Sequence, residues 1–140
     1  SEMCIRPRPS TPGREGGVAD TRFGRIGLLI CADTFKDEFQ DRMAALEPDL
    51  LVVPSGWAAR EEQWPGHGRE LLKTVTRAAG RIRAPLVGTD LVGEITNGPW
   101  TGLTYGGQSV VSNGYGNVLA RAADRDREVL ILDVSLVDSH

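Results

Sequence analysis

The 140-residue chain is short of the residues that most often carry chemistry: it has two cysteines, Cys4 and Cys31, and two histidines, His67 and His140. Cys4 lies in a Pro/Arg-rich leader and Cys31 in the strongest strand signal, so no disulfide framework is expected. A zinc site needs a cluster of Cys and His at short spacing, and none is present, so no metal or cofactor is expected. Lysine is equally scarce, with Lys36 and Lys73 alone. The net charge of −3 leaves no basic footprint for nucleic acid. No apolar run is long enough to span a bilayer, and the N-terminus lacks the basic-then-apolar plan of a secretory signal. These absences point to a cytoplasmic protein with a small-molecule partner, and to neither a nucleic acid nor a membrane.

What is present is ordinary for a globular domain, with 40% hydrophobic residues and length enough for one real core. Residues 1–17, "SEMCIRPRPSTPGREGG", show neither helical nor strand periodicity and read as a leader or truncated start. Residues 18–140 then form a single domain. "RIGLLIC" is apolar nearly throughout, as a strand buried on both faces would be, and "FKDEFQDRMAALEP" sets Phe35, Phe39, Met43 and Leu46 on one helical face. "DLLVVPS" is a second buried strand. Leu72, Val75, Ala79 and Ile82 recur at helical spacing in "LLKTVTRAAGRI" until Pro85 ends the helix, and "PLVGTDLVG" is the third strand. Strands separated by helices must run parallel, so the expected class is α/β. "QSVVSNGYGNVLARAADRDREVLILDVSL" reads as a three-stranded antiparallel meander, with Asn113-Gly114 in the left-handed positions of a tight turn and Arg121 to Arg127 as a charged turn. The Gly/Thr/Asn-rich "EITNGPWTGLTYGG" before it is expected to be a functional loop.

Cys31 closes the first strong strand, at the carboxyl end where ligands of open α/β sheets gather. Thr34-x-x-Asp37 has capping-box spacing, which predicts a helix start close to the thiol. Free backbone N–H groups there could lower the thiol pKa and hold an oxyanion, with the Ala32 N–H nearest. The competing reading is a small buried hydrophobe, since cysteine is among the most buried residue types. Position in the strand leaves both open.

Five segments, "DTRFGRIGLLICADTF", "DLLVVPSGW", "VGTDLVGE", "YGGQSVVSNGYGNVLARA" and "EVLILDVSL", resemble in order and spacing the second half of the carbon-nitrogen hydrolase (nitrilase) superfamily. Cys31-Ala32-Asp33 is the most specific piece and is closer to the amidase and carbamoylase branches than to the nitrile branch. The resemblance implies half of an α-β-β-α sandwich, often assembled into homo-oligomers, and a Glu, Lys, Cys set that hydrolyses linear amide or N-carbamoyl groups. Cys31 would then be the nucleophile, with the Ala32 N–H at the oxyanion. Trp57 would line the substrate pocket, and Thr89 and Asp90 would contact the scissile amide. The chemistry is coherent: glutamate takes the thiol proton, the thiolate forms a thioester as ammonia or an amine leaves, and water hydrolyses it.

The chain departs from the pattern upstream. The family's base and lysine precede the cysteine, whereas Lys36 and Lys73 both follow Cys31, and Glu2 and Glu15 fall where the family does not place its base. A second family glutamate would fall near Arg6. The expectation is therefore the C-terminal part of a longer enzyme, inactive alone, exposing an apolar sheet face and prone to self-associate. A non-catalytic α/β binding or assembly module that keeps the hydrolase fold is the alternative, and a cysteine hydrolase of another fold using His67 is a third. His67, flanked by glycines, is expected in solvent, Trp64 and Trp100 at an interface or pocket wall, and Asp33 at a helix start.

Overall fold

The computed structural model describes residues 17–136. The leader expected over residues 1–17 lies outside this range except for Gly17, as do Glu2, Cys4, Arg6, Glu15 and His140. Nine strands and two α-helices follow in order: β1 (Gly17–Thr21), β2 (Gly24–Leu28), α1 (Asp37–Ala45), β3 (Leu50–Ser55), β4 (Ala58–Ala59), α2 (Gly68–Ile82), β5 (Leu86–Asp90), β6 (Val92–Glu94), β7 (Thr104–Gly106), β8 (Val110–Ser112) and β9 (Val118–Arg121). Six of the strands form one sheet in the order β1-β2-β3-β5-β8-β9, and β4-β7-β6 form a small second one. As expected, β2, β3 and β5 are parallel, joined through α1 and α2, while β8 and β9 are antiparallel.

The helices share one face of the large sheet. Strand alternation sends Gly27, Leu51, Val53, Leu86, Gly88 and Val110 to that side, where they pack with Met43, Leu71, Val75, Ala78, Ala79 and Ile82. The two glycines set the approach: a Cβ on Gly27 would stand 2.8 Å from Met43 Sδ, and one on Gly88 would stand 2.8 Å from Val75. Salt bridges from Arg77 to Asp37 and from Arg81 to Asp37 and Asp41 lace the two helices across their outer side. On the opposite face Leu28 is 48% exposed and Ile26, Leu50, Val52 and Val87 are half-buried, with no helix across them among the described residues. The exposed apolar sheet face expected from the sequence is present.

Several expectations are corrected. A strand over "RIGLLIC" ends at Leu28, and Cys31 opens a 3-10 turn, Cys31–Phe35, that takes up the residues expected to begin the helix. The Thr34–Asp37 capping box does not form: Lys36 occupies the N-cap of α1 without a side-chain cap, and the Thr34 hydroxyl turns back to Cys31. β1 pairs antiparallel with β2, on residues whose mixed Gly, Val, Ala, Asp and Thr gave no strand signal. α2 begins at Gly68, three residues before the segment expected from Leu71, and ends where Arg83 adopts φ 62°, before Pro85.

The presumed functional loop is partly regular, because Val92–Glu94 and Thr104–Gly106 pair as a hairpin around residues 95–103. In the β8–β9 turn the left-handed residue is Gly116 (φ 82°) rather than Asn113 or Gly114. Asn113 serves instead through its Oδ1, which accepts from the Tyr115 and Asn117 N–H groups. Among the described residues the third meander strand is absent. After β9 the chain is drawn back beside residues 106–109 by Ala122 N–H to Ser109 O, Gln108 N–H to Ala123 O and Arg125 N–H to Gly106 O. It thereby leaves the β9 edge, and Val129 and Ile131 stand 87% and 94% exposed. The charged turn is a brace: Arg125 joins Asp124 and Glu61, and Arg121 and Asp124 grip the buried amide of Gln108.

Candidate active site

The carboxyl ends of β2, β3 and β5 open toward one rim, and the chain places Cys31 and Trp57 just beyond them and Asp90 at the last position of β5. Cys31 is 4% exposed and adopts φ 39°, in the left-handed region that side chains with a Cβ rarely enter. Such a backbone costs about 1–2 kcal/mol and persists only where its surroundings over-determine it. Two brackets do so here. Ahead of the thiol, the Ile30 N–H donates to Asp33 Oδ2 at 3.1 Å and the Asp33 N–H returns to the Ile30 carbonyl at 2.8 Å. Behind it, the Thr34 hydroxyl donates to the Cys31 carbonyl at 2.6 Å, and Gln40 Nε2 donates to the Thr34 carbonyl at 2.5 Å. Asp33 thus marks the start of a helical turn, as expected, while the half-buried Ala32 follows the thiol inside it.

Trp57 is 4% exposed and anchored at both ends, its backbone N–H on Asp90 Oδ1 at 2.6 Å and its indole Nε1–H on the His67 carbonyl at 3.1 Å. Its ring lies 5.1 Å from Phe35, the last residue of the Cys31 turn, and stacks 5.2 Å from the His67 ring. Thr89 and Asp90 face opposite sides of the sheet: alternation puts exposed Thr89 on the open face and turns Asp90 to the helix side. The Asp90 carboxyl is enclosed by the ends of β3, β5 and β7. Its backbone N–H donates to Ser109 Oγ at 2.9 Å, and its Oδ2 is buried with no hydrogen-bond partner. Burial pushes its pKa up to about 7, opposed by backbone N–H groups of Trp57, Leu91, Gly106 and Gly107.

His67 is not in solvent. It lies between Trp57 and Trp64, edge-on to the latter at 5.2 Å, and its Nε2 is buried with no hydrogen-bond partner. No hydrogen bond joins that nitrogen to Cys31, which removes the support for the His67-based hydrolase. Burial lowers the His67 pKa, partly offset by Glu70. Trp64 is 6% exposed, and its Nε1–H donates to the Thr104 carbonyl at 3.1 Å, so it packs in the core rather than at an interface. Trp100 borders a shallow concavity with Gly56, Ala58, Leu103 and Tyr105. Sequence reasoning missed the Thr34–Gln40 bracket and the Trp57–Asp90 clasp. The only available signal for the first was a glutamine on the apolar stripe of α1. Among the described residues no group of three or more His, Cys, Asp or Glu could hold a metal ion, and no helix is long and apolar enough to cross a membrane.

A mixed sheet with helices on one face, whose parallel strands end in a buried cysteine on a constrained turn, has the form of half of a nitrilase-type α-β-β-α sandwich. The family model for carbon-nitrogen hydrolases matches residues 5–139, and the chain belongs to that family. It is 28% identical over 131 residues to the N-carbamoylputrescine amidases of Arabidopsis thaliana and of Oryza sativa subsp. japonica, covering 89% of this chain and 44% and 43% of those proteins. The chain therefore spans under half the length of these relatives. A carbon-nitrogen hydrolase from Helicobacter pylori G27 superposes with a TM-score of 0.71 at 27% identity, over 84% of this chain and 43% of that one. An amidase from Nesterenkonia sp. AN1, carrying the acetamide moiety of fluoroacetamide on its active-site cysteine, shares the fold with a TM-score of 0.70 at 23% identity, over 93% of this chain and 45% of that one.

Proposed function

We propose that residues 18–140 are the C-terminal part of a single carbon-nitrogen hydrolase domain, and that this domain hydrolyses a linear amide or N-carbamoyl group through a thioester on Cys31. The observation that carries the reading is the placement of Cys31: buried, at the carboxyl end of a parallel strand, and held at φ 39° by bonds on both sides. That conformation is costly for a structural thiol and is the kind of strain found where a side chain must be aimed. Attack of the thiolate on the carbonyl carbon expels ammonia or an amine, and water then releases the acid and restores the thiol. The Ala32 N–H would hold the oxyanion, and Trp57 would wall the substrate side. Asp90 supports the site by clasping the Trp57 backbone. The branch assignment draws on the carbamoylputrescine amidases that the chain resembles.

Of the two lysines, Lys73 is exposed on α2 beside Glu70, and Lys36 is exposed over the Phe39 ring. Both follow Cys31, whereas the resemblance puts the family's lysine ahead of it, so we expect residues 1–140 alone to turn over nothing. Homo-oligomer formation and a cytoplasmic setting belong to the same proposal, the former supported by the exposed Leu28, Ile30 and Leu91. The test is intact-mass analysis of the longer enzyme that this proposal implies, incubated with simple amides and N-carbamoyl amines. An acyl adduct that maps to Cys31 and vanishes in Cys31→Ala supports the reading. Hydrolysis that survives Cys31→Ala overturns it, and a folded protein with no adduct on any of these substrates favours the binding module.

A further inference from the structure

Gln40 is out of character for its position. It is 0% exposed, on the helix face that packs against the sheet, where Met43 is equally enclosed. Its Oε1 is buried with no hydrogen-bond partner. An enclosed acceptor without a partner costs about 1–3 kcal/mol, so an apolar side chain of similar size would serve the core at least as well. What the amide supplies is a donor: Nε2 reaches the Thr34 carbonyl at 2.5 Å, and Thr34, itself 4% exposed, donates its hydroxyl to the Cys31 carbonyl at 2.6 Å. The two bonds run in series from α1 to the one residue of the turn whose φ is positive.

We propose that Thr34 and Gln40 are positioning residues for Cys31, a two-bond relay that fixes the left-handed backbone of the nucleophile from the helix layer. Gln40 holds the Thr34 carbonyl, which sets the pitch of the 3-10 turn. The turn sets the Thr34 hydroxyl, and the hydroxyl holds the Cys31 carbonyl so that its Cα–Cβ bond cannot swing back to the ordinary region. Releasing either bond lets φ relax and moves Sγ off its direction of attack, and a displacement on the order of 1 Å is enough to cost a large share of a rate. The proposal rests on the reading of Cys31 as the nucleophile, but its test does not require turnover.

The probe is iodoacetamide: the Cys31 thiolate displaces iodide to form a thioether, and native-state alkylation is followed on the Cys31 peptide by mass spectrometry. Thr34→Val keeps the shape and loses the hydroxyl, Thr34→Ser keeps the hydroxyl, and Gln40→Met keeps the volume and loses the donor. We expect the Cys31 rate to fall about tenfold in Thr34→Val and about threefold or more in Gln40→Met. Thr34→Ser should stay within about twofold of the parent. Gln40→Met should melt within a few degrees of the parent, since it also removes the orphaned Oε1, so its slower alkylation cannot be put down to unfolding. Rates at or above the parent in folded Thr34→Val and Gln40→Met overturn the relay, as does a Thr34→Ser loss as large as that of Thr34→Val. If Thr34→Val fails to fold by circular dichroism, Gln40→Met and Thr34→Ser decide. Relay-dependent alkylation together with amide hydrolysis that survives Cys31→Ala would leave the relay standing and remove the proposed function.

Discussion

Replacing Asp90 by asparagine should change how stability depends on pH, not merely how large it is. The carboxyl ordinarily titrates at 3.8 and burial raises it to about 7. Between those values the folded protein keeps a proton that the unfolded chain has released. Unfolding therefore releases a proton in this window, and stability falls as pH rises from about 4 to about 7. At about 1.4 kcal/mol per pH unit, the interval amounts to about 4 kcal/mol, fully present below the unfolded value and gone above the folded one. Asparagine cannot titrate. It keeps an oxygen for the Trp57 N–H, and its Nδ2 takes the enclosed place of Oδ2, beside the Leu91, Gly106 and Gly107 N–H groups, which are donors like itself. That exchange adds an offset of about 1–3 kcal/mol that is independent of pH. Urea unfolding of both proteins, followed by tryptophan fluorescence from about pH 4 to about pH 8, measures the two terms separately. The variant should be the less stable at acid pH and should gain on the parent by about 4 kcal/mol as pH rises. Two curves that stay parallel across the window would refute the reasoning, because they would mean that the carboxylate is solvated in the folded state.

His67→Phe should preserve the aromatic stack and reduce acid sensitivity: burial lowers the His67 pKa, so the folded state resists protonation and loses stability as pH falls through about 6.5. Melting curves on either side of that pH check the sign, and equal sensitivity in both proteins contradicts it. Gly106→Ala should destabilise by about 3 kcal/mol or more, because its Cβ would land 2.1 Å from the Trp64 ring. A thermal melt shows this, and an unchanged midpoint would mean that the indole is free to move. Cys31→Gly should be more stable than Cys31→Ala by about 1 kcal/mol, since only glycine enters φ 39° without strain. Equal denaturation midpoints would show the turn to be unstrained.

The parallel β2-α1-β3-α2-β5 core was legible because its strands are continuous apolar runs and its helices carry one apolar stripe each. What escaped was decided by partners distant in sequence. "EVLILDVSL" has the composition of a strand, yet the backbone bonds of residues 122–125 to residues 106–109 carry the chain away from the β9 edge that it would have joined. β1 has little apolar character and exists because β2 offers it an edge. At the site, Cys31 and Trp57 could be read from their places after apolar strands. The enclosure of Asp90 could not, because it is made by Trp57, Leu91, Gly106 and Gly107, backbone groups from three separate segments. Likewise Thr34-x-x-Asp37 satisfied a capping rule in sequence, but a 3-10 turn, closed by the Thr34 hydroxyl donating to the Cys31 carbonyl, competed with the capped helix start and won.

That competition ties the site to the fold. A capped helix starting at Thr34 would have left Cys31 in ordinary extended backbone, pointing as any strand residue points. Diverting the hydroxyl inserts a 3-10 turn, delays α1 to Asp37 and turns the thiol out of the strand's alternation. The diversion holds only if the Thr34 carbonyl is itself satisfied, which calls for a donor one turn into α1, where the core would otherwise take an apolar side chain. Gln40 meets that need and leaves its own oxygen unpaired. The same turn ends in Phe35 against Trp57, whose backbone is held by Asp90. The conformation of Cys31 and the position of the presumed pocket wall are thus set by one connected group of residues. It follows that Asp90→Asn and Gln40→Met should not act independently on Cys31: their effects on its alkylation rate should depart from additivity by more than about 0.5 kcal/mol in a double-mutant cycle, the margin seen for unconnected sites. Strict additivity would place the clasp and the relay in separate parts of the molecule, despite the ring contact between them.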